Sequence, residues 1–137
     1  GHIMRTILGI IFVLVLIAFA SPSLALSPEH FWSQRFGSTG DDQAWAVAVD
    51  AAGNVVVVGW FEGTVNLGGA NLVSVGGDDI FMAKYDAYGA HLWSERFGSS
   101  GDDLPLAVAL DGGNVYVTGY FNGTVDFGGG NLVSAGS

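Results

Sequence analysis

Residues 35–50 read "RFGSTGDDQAWAVAVD", and 61 residues later the chain reads "RFGSSGDDLPLAVALD" over residues 96–111. The two copies run in parallel for most of the chain. Trp32 matches Trp93, Gly40 matches Gly101 and Asp50 matches Asp111. One residue is then lost in a turn, "DAAGN" against "DGGN". Beyond it Asn54 matches Asn114, Phe61 matches Phe121, "GTV" recurs at 63–65 and 123–125, and "NLVS" recurs at 71–74 and 131–134. A repeat of this length marks an architecture in which each unit hides its faces against its neighbours.

One period reads as four strands. Residues 44–50 alternate, with Trp45, Val47 and Val49 on one face and Ala44, Ala46 and Ala48 on the other. A turn carrying Gly53 and Asn54 leads to a second strand at 55–61, whose "VVVV" is apolar on both sides, as a doubly buried strand is. "GTVNLGGANLVSVGG" is read as a glycine-rich link to a third strand at 80–85. The "DAYG" turn then closes a hairpin onto a fourth strand at 91–97. With 22 glycines, 3 prolines and no convincing helical periodicity after residue 25, the expected class is all-β. Four antiparallel strands per ~60-residue repeat is the size of a β-propeller blade.

The wording of the repeat carries a resemblance. "AVAVDAAGNVVVVGWF", "TVNLGG", "DDIFMAKYDAYGAHLWSERFGSSGDD" and "GNVYVTGYFNGTVDFGGG" resemble the bacterial β-propeller repeats called SBBP repeats, with NHL-like blades. The resemblance covers residues 31–137 and implies a propeller fold with a binding or scaffolding role. It brings no catalytic motif. Family members string many repeats together, whereas this chain holds fewer than two complete blades. The expectation is therefore a piece of a longer propeller, or several chains sharing one ring. An open stack with exposed strand edges would aggregate.

The first residues are read differently. Residues 1–3 resemble an expression scar, and 4–25 have the layout of a signal peptide: a basic start at Arg5, the apolar run "ILGIIFVLVLIAFA", and small residues Ser23 and Ala25 before an expected cleavage. The run is shorter than the ~20 residues that span a bilayer, so no stable membrane insertion is expected after cleavage. Residues 26–43 then form a mature N-terminus with a blade-closing strand, 44–97 a complete blade and 98–137 a partial second blade. Secretion, to the periplasm, the medium or the cell surface, is the expected localisation.

Charge excludes one class of partner. The net charge is −9, and Arg35, Lys84 and Arg96 are the basic residues after the leader, against thirteen acidic ones. Such a surface repels phosphate backbones, so nucleic acid is not an expected partner. Cys is absent, and the core must close by packing without disulfides.

Candidate chemistry is sparse. "GDD" occurs at Asp41-Asp42, Asp78-Asp79 and Asp102-Asp103, each in a glycine-rich turn before a strand. Carboxylates there are oxygen ligands of the kind calcium takes, which makes Asp41, Asp42, Asp102 and Asp103 a candidate calcium set. None has the spacing of a calcium loop, and Asp readily bonds its own turn, so turn structure outweighs metal. His30 and His91 are read as unrelated, with no convergent ligands around them, and no serine sits in a nucleophile elbow. Repeated aromatics mostly fill space between blades. Trp60 and Tyr120 are the exception to test first, a matched pair at a strand end that keeps its aromatic character and forms a candidate ligand-binding site. The expected function is a non-enzymatic secreted or surface module that binds protein or glycan, or serves as a scaffold. The alternative is a structural unit that self-associates through its blade edges, its half-blades completing one another between chains. A hydrolase using the paired carboxylates ranks last.

Overall fold

The computed structural model describes residues 2–6, 11–20 and 29–136, and among these every regular element is a strand. At its centre is one four-stranded antiparallel sheet of β4 (Asp42–Val49), β5 (Val55–Phe61), β8 (Asp79–Tyr85) and β9 (His91–Phe97), ordered β4-β5-β8-β9. This is the blade expected at 44–97, with its strand ends within two residues of those read from the sequence. β5 lies between β4 and β8 and is buried without a break from Val55 to Gly59, because the core under β3 and the small hairpin takes one face and β10 lies against the strand as well. β10 (Leu104–Asp111) and β11 (Asn114–Tyr120) repeat its first two strands as a separate pair.

The glycine-rich link is more ordered than a connection. Within it β6 (Thr64–Asn66) and β7 (Asn71–Val73) form a small hairpin, and the next copy repeats it as β12 (Thr124–Asp126) and β13 (Asn131–Val133). The three-residue strands are too short to register as alternation. The turns are held by side chains, with Asn66 Oδ1 accepting from Gly68 N–H at 2.8 Å and Asp126 Oδ1 from Gly128 N–H at 2.7 Å.

A third sheet precedes the blade. β1 (His2–Thr6), β2 (Ile11–Ala20) and β3 (Glu29–Phe36) are ordered β1-β2-β3. Residues 11–20 of the apolar run expected as a leader thus form a strand paired with β3, while its residues 7–10 and the cleavage-like stretch at 21–25 lie outside the described residues. No helix among the described residues is long and apolar enough to cross a membrane.

The core lies where β3 and the small hairpin close over one face of the blade. It joins Leu16 and Trp32 to Val55, Val57, Phe61, Phe81, Ala83 and Tyr85, with Val65 and Leu67 from the hairpin. Tyr85 is its pivot. Its ring stacks on Phe36 at 5.5 Å and meets Trp32 at 6.3 Å, and its hydroxyl donates to the Leu67 carbonyl at 2.7 Å.

Candidate functional site

Two features converge at the Phe61 end of the blade: an outward-turned tryptophan pair and a cluster of carboxylates. The tryptophans are placed by a bulge. β4 pairs with β5 in regular register except between Ala44 and Ala46, where Trp45 is the extra residue. β10 repeats the irregularity between Pro105 and Ala107, with Leu106 extra. A bulge leaves one residue unpaired and re-aims its side chain. Trp45 is accordingly 48% exposed and Leu106 52%. The Trp45 ring sits 5.3 Å from that of Trp60, tilted 46°, and its Nε1–H donates to the Leu106 carbonyl at 3.1 Å. The bulge thus joins the first strands of two successive units and leaves an indole surface facing solvent.

Trp60 and Tyr120, paired by sequence, are not brought into ring contact. Trp60 packs on Trp45, while Tyr120 stands half-exposed at the wall of an apolar groove with Ile80 and Met82. Sequence reasoning passed over Trp45 because its copy is Leu106. The available signal was Gly59, opposite the bulge and repeated as Gly119.

The carboxylates divide by position within each pair. The second of each, Asp42, Asp79 and Asp103, is buried. Asp42 accepts from the backbone N–H and hydroxyl of Ser38, and Asp103 from those of Ser99 and from Asn122 N–H at 3.1 Å. Asp79 accepts from Val75 N–H at 3.0 Å and from the Arg96 guanidinium. These contacts tie each turn to its strand. Burial raises Asp42 and Asp79 above the usual carboxylate range even against these hydrogen bonds, and each keeps one buried oxygen without a hydrogen-bond partner.

The first of each pair is less buried: Asp102 is exposed, and Asp41 and Asp78 are half-buried. Asp78 N–H donates to Asp102 Oδ1 at 3.3 Å, and Asp103 N–H to the Asp78 carbonyl at 2.7 Å. Glu62 N–H donates to the Asp41 carbonyl at 2.9 Å, which brings the same end of β5 alongside. Burial, reinforced by Asp102, Glu62 and Asp41, lifts Asp78 from 3.8 to about 6. Among the described residues no group of three or more His, Cys, Asp or Glu is placed to hold a metal ion.

A raised carboxyl pKa means that the folded chain binds the proton more tightly than the unfolded chain. Stability from this group therefore falls as pH rises from about 4 to 6, and the loss is complete above that window. Asp78→Asn removes the repulsion and breaks no side-chain hydrogen bond among the described residues, since Asp78 bonds through its backbone N–H and carbonyl. It should raise stability at pH 7 by about 1 kcal/mol once solvent screening is allowed for. Melting curves between pH 4 and 7 test this, and an unchanged slope in the variant would assign the pH dependence elsewhere.

His30 and His91 are one position in two copies, 61 residues apart, and not unrelated. Each ring Nε2 lies 3.1 Å from a serine hydroxyl three residues on, Ser33 and Ser94. His91 lies under the small hairpin, edge-on to Tyr85 at 5.9 Å, a packing role.

Comparison with known proteins adds one relative. An uncharacterized WD repeat-containing protein of Acanthamoeba polyphaga mimivirus is 28% identical over 109 residues. The match takes in 66% of this chain and 8% of that protein, so the chain spans a small part of the relative's length. No protein-family model matches the chain, and no solved structure matches it. The all-β blade and the WD-repeat likeness together describe a propeller-like unit.

Proposed function

We propose that this chain is a non-enzymatic propeller module, of the SBBP-like kind, that binds a basic segment of a protein partner at the Phe61 end of its blade. The observation that carries this is the repeated bulge, which turns Trp45 outward and packs its ring, tilted, on Trp60, at the same end of the strand as Glu62 and the less buried carboxylates. Exposed indoles attract guanidinium and ammonium groups through their ring faces, and the adjacent carboxylates supply complementary charge. The net charge of −9 favours the same partner at a distance. The likeness to a WD repeat-containing protein supports a binding or scaffold role, and the buried Asp42, Asp79 and Asp103, committed to turns, offer no free catalytic pair.

Titration calorimetry of the full chain with a short arginine-rich peptide tests the reading. Trp60→Ala and Asp78→Asn are each expected to weaken binding about 10-fold, and added salt to weaken it further. Affinity that ignores both substitutions would overturn it. A neutral oligosaccharide that binds in a Trp60-dependent, salt-independent way would put a glycan at the site instead.

A further inference from the structure

We infer that the basic segment bound at the Phe61 end is extended and carries two arginines separated by one residue, one lying on the tryptophan pair and the other in a row of carboxylates just beyond it. The inference rests on the binding role proposed above and specifies what that surface reads. Its basis is register. Phe61 pairs with Asp42 on one side and with Asp79 on the other. Phe61, Ala44 and Phe81 belong to the core. Side chains alternate along a strand, so Trp60 and Glu62 share the face of β5 turned away from that core. Glu62 continues the ladder by one residue, its N–H donating to the Asp41 carbonyl at 2.9 Å. The same step along β8 sets Asp78 on the other side of Glu62. Asp41, Glu62 and Asp78 thus form one row across three neighbouring strands, on the face that carries Trp60.

The row has no counter-charge of its own. The basic side chains of the blade are spent elsewhere, Lys84 on Asp50 at 3.7 Å and Arg96 on Asp79. Asp41, Glu62, Asp78 and the adjoining Asp102 form no ion pair among the described residues. Burial, with repulsion from Asp102, Glu62 and Asp41, already holds Asp78 above the usual carboxylate range, and a cation placed here relieves that repulsion. The tryptophan pair offers the other half of the surface. Trp45 Nε1–H is taken by the Leu106 carbonyl at 3.1 Å, so the indole meets a ligand through its ring face and not its donor edge. The Trp60 ring stands 5.3 Å away, tilted 46°, and inclines a second face toward the first. A planar guanidinium stacks on such a face and forks two N–H groups onto a carboxylate, which a lysine ammonium does not do.

The spacing follows from the strand. Trp60 and Glu62 lie on one face of β5, about 6.6 Å apart along it at a rise of ~3.3 Å per residue. An extended partner has the same rise and the same alternation, so its residues i and i+2 reach both places together. Adjacent residues of such a partner point to opposite sides, and so do residues i and i+3. In a helix i and i+2 do not share a face, so a helical segment presents only one arginine of the pair.

Three end-blocked peptides of one composition and charge test this by calorimetry on the full chain: Ser-Arg-Ala-Arg-Ala-Ser, Ser-Arg-Arg-Ala-Ala-Ser and Ser-Arg-Ala-Ala-Arg-Ser. The first should bind about 10-fold more tightly than either isomer, and its lysine counterpart should bind as weakly as the isomers. Glu62→Gln should bring the first peptide down to the affinity of the other two. The Glu62 side chain is exposed and makes no hydrogen bond among the described residues, so folding is not at stake in this variant. A loss shared equally by all three peptides would make Glu62 a source of general attraction and overturn the spacing. Equal affinities of the three isomers for the parent chain, or of the arginine peptide and its lysine counterpart, overturn the inference and leave the broader tryptophan reading standing. If no arginine peptide binds, both fall.

Discussion

Gly59→Ala is expected to unfold the central blade, with a loss of more than about 3 kcal/mol in urea denaturation followed by tryptophan fluorescence. A methyl group at this position would sit 2.0 Å from the Gln43 carbonyl oxygen and 2.7 Å from two atoms of the Phe81 ring. Neither neighbour has room to give way. The carbonyl belongs to β4 next to the bulge, and Phe81 is buried in the core. The absence of a side chain at Gly59 is what lets β4 come close enough to bulge and turn Trp45 outward. The copy behaves alike: at Gly119 a methyl would meet the Leu104 carbonyl oxygen at 2.3 Å and Pro105 Cα at 2.9 Å. Gly129→Ala, with nothing within 4 Å of the added atom, is the control and should stay within about 0.5 kcal/mol of the parent. Wild-type stability in Gly59→Ala would mean that the bulge is not formed as described.

The second large effect belongs to Tyr85. Its side chain is fully buried and touches three separate pieces of chain: β3 through Trp32 and Phe36, the fourth strand through His91, and the small hairpin through the Leu67 carbonyl. Tyr85→Ala should cost about 3–5 kcal/mol, the range for emptying a large aromatic site. Tyr85→Phe keeps the ring and removes the hydroxyl, leaving the buried Leu67 carbonyl without that donor, and should cost about 1–2 kcal/mol. The ratio of the two losses separates ring packing from the hydrogen bond. Equal losses would make the hydroxyl, not the ring, the main tie between the sheets.

The repeat made the blade legible. Four strands, their order as consecutive hairpins and their ends all follow from alternation and turn residues that occur twice. What duplication could not show is what each copy does differently. Trp45 and Leu106 share one backbone position, but only one of them is an indole, and the bulge that exposes it is a matter of register across two strands. The hairpin of β6 and β7 escaped notice because three-residue strands are too short to alternate visibly. The run 11–20 is apolar enough to serve as a leader or as a strand, and composition alone does not choose between them. The acidic pairs were read correctly as turn residues in kind. Their division into a buried carboxylate and a less buried one depends on the Ser38 and Ser99 caps, which become visible only when the turn is folded. Trp60 and Tyr120 were matched by sequence position, and the fold gives them different neighbours.

The bond from the Trp45 indole to the Leu106 carbonyl spans 61 residues, one full period. Both ends therefore lie at the same point of the repeated unit, and so do the groups that place them, Gly59 and Gly119. A gene segment of that length can be duplicated or deleted at almost any reading-frame position within the unit without creating a junction the protein has not already made. The bulge contact thus makes unit number heritable as a simple count, open to change by unequal recombination while the geometry between neighbours is retained.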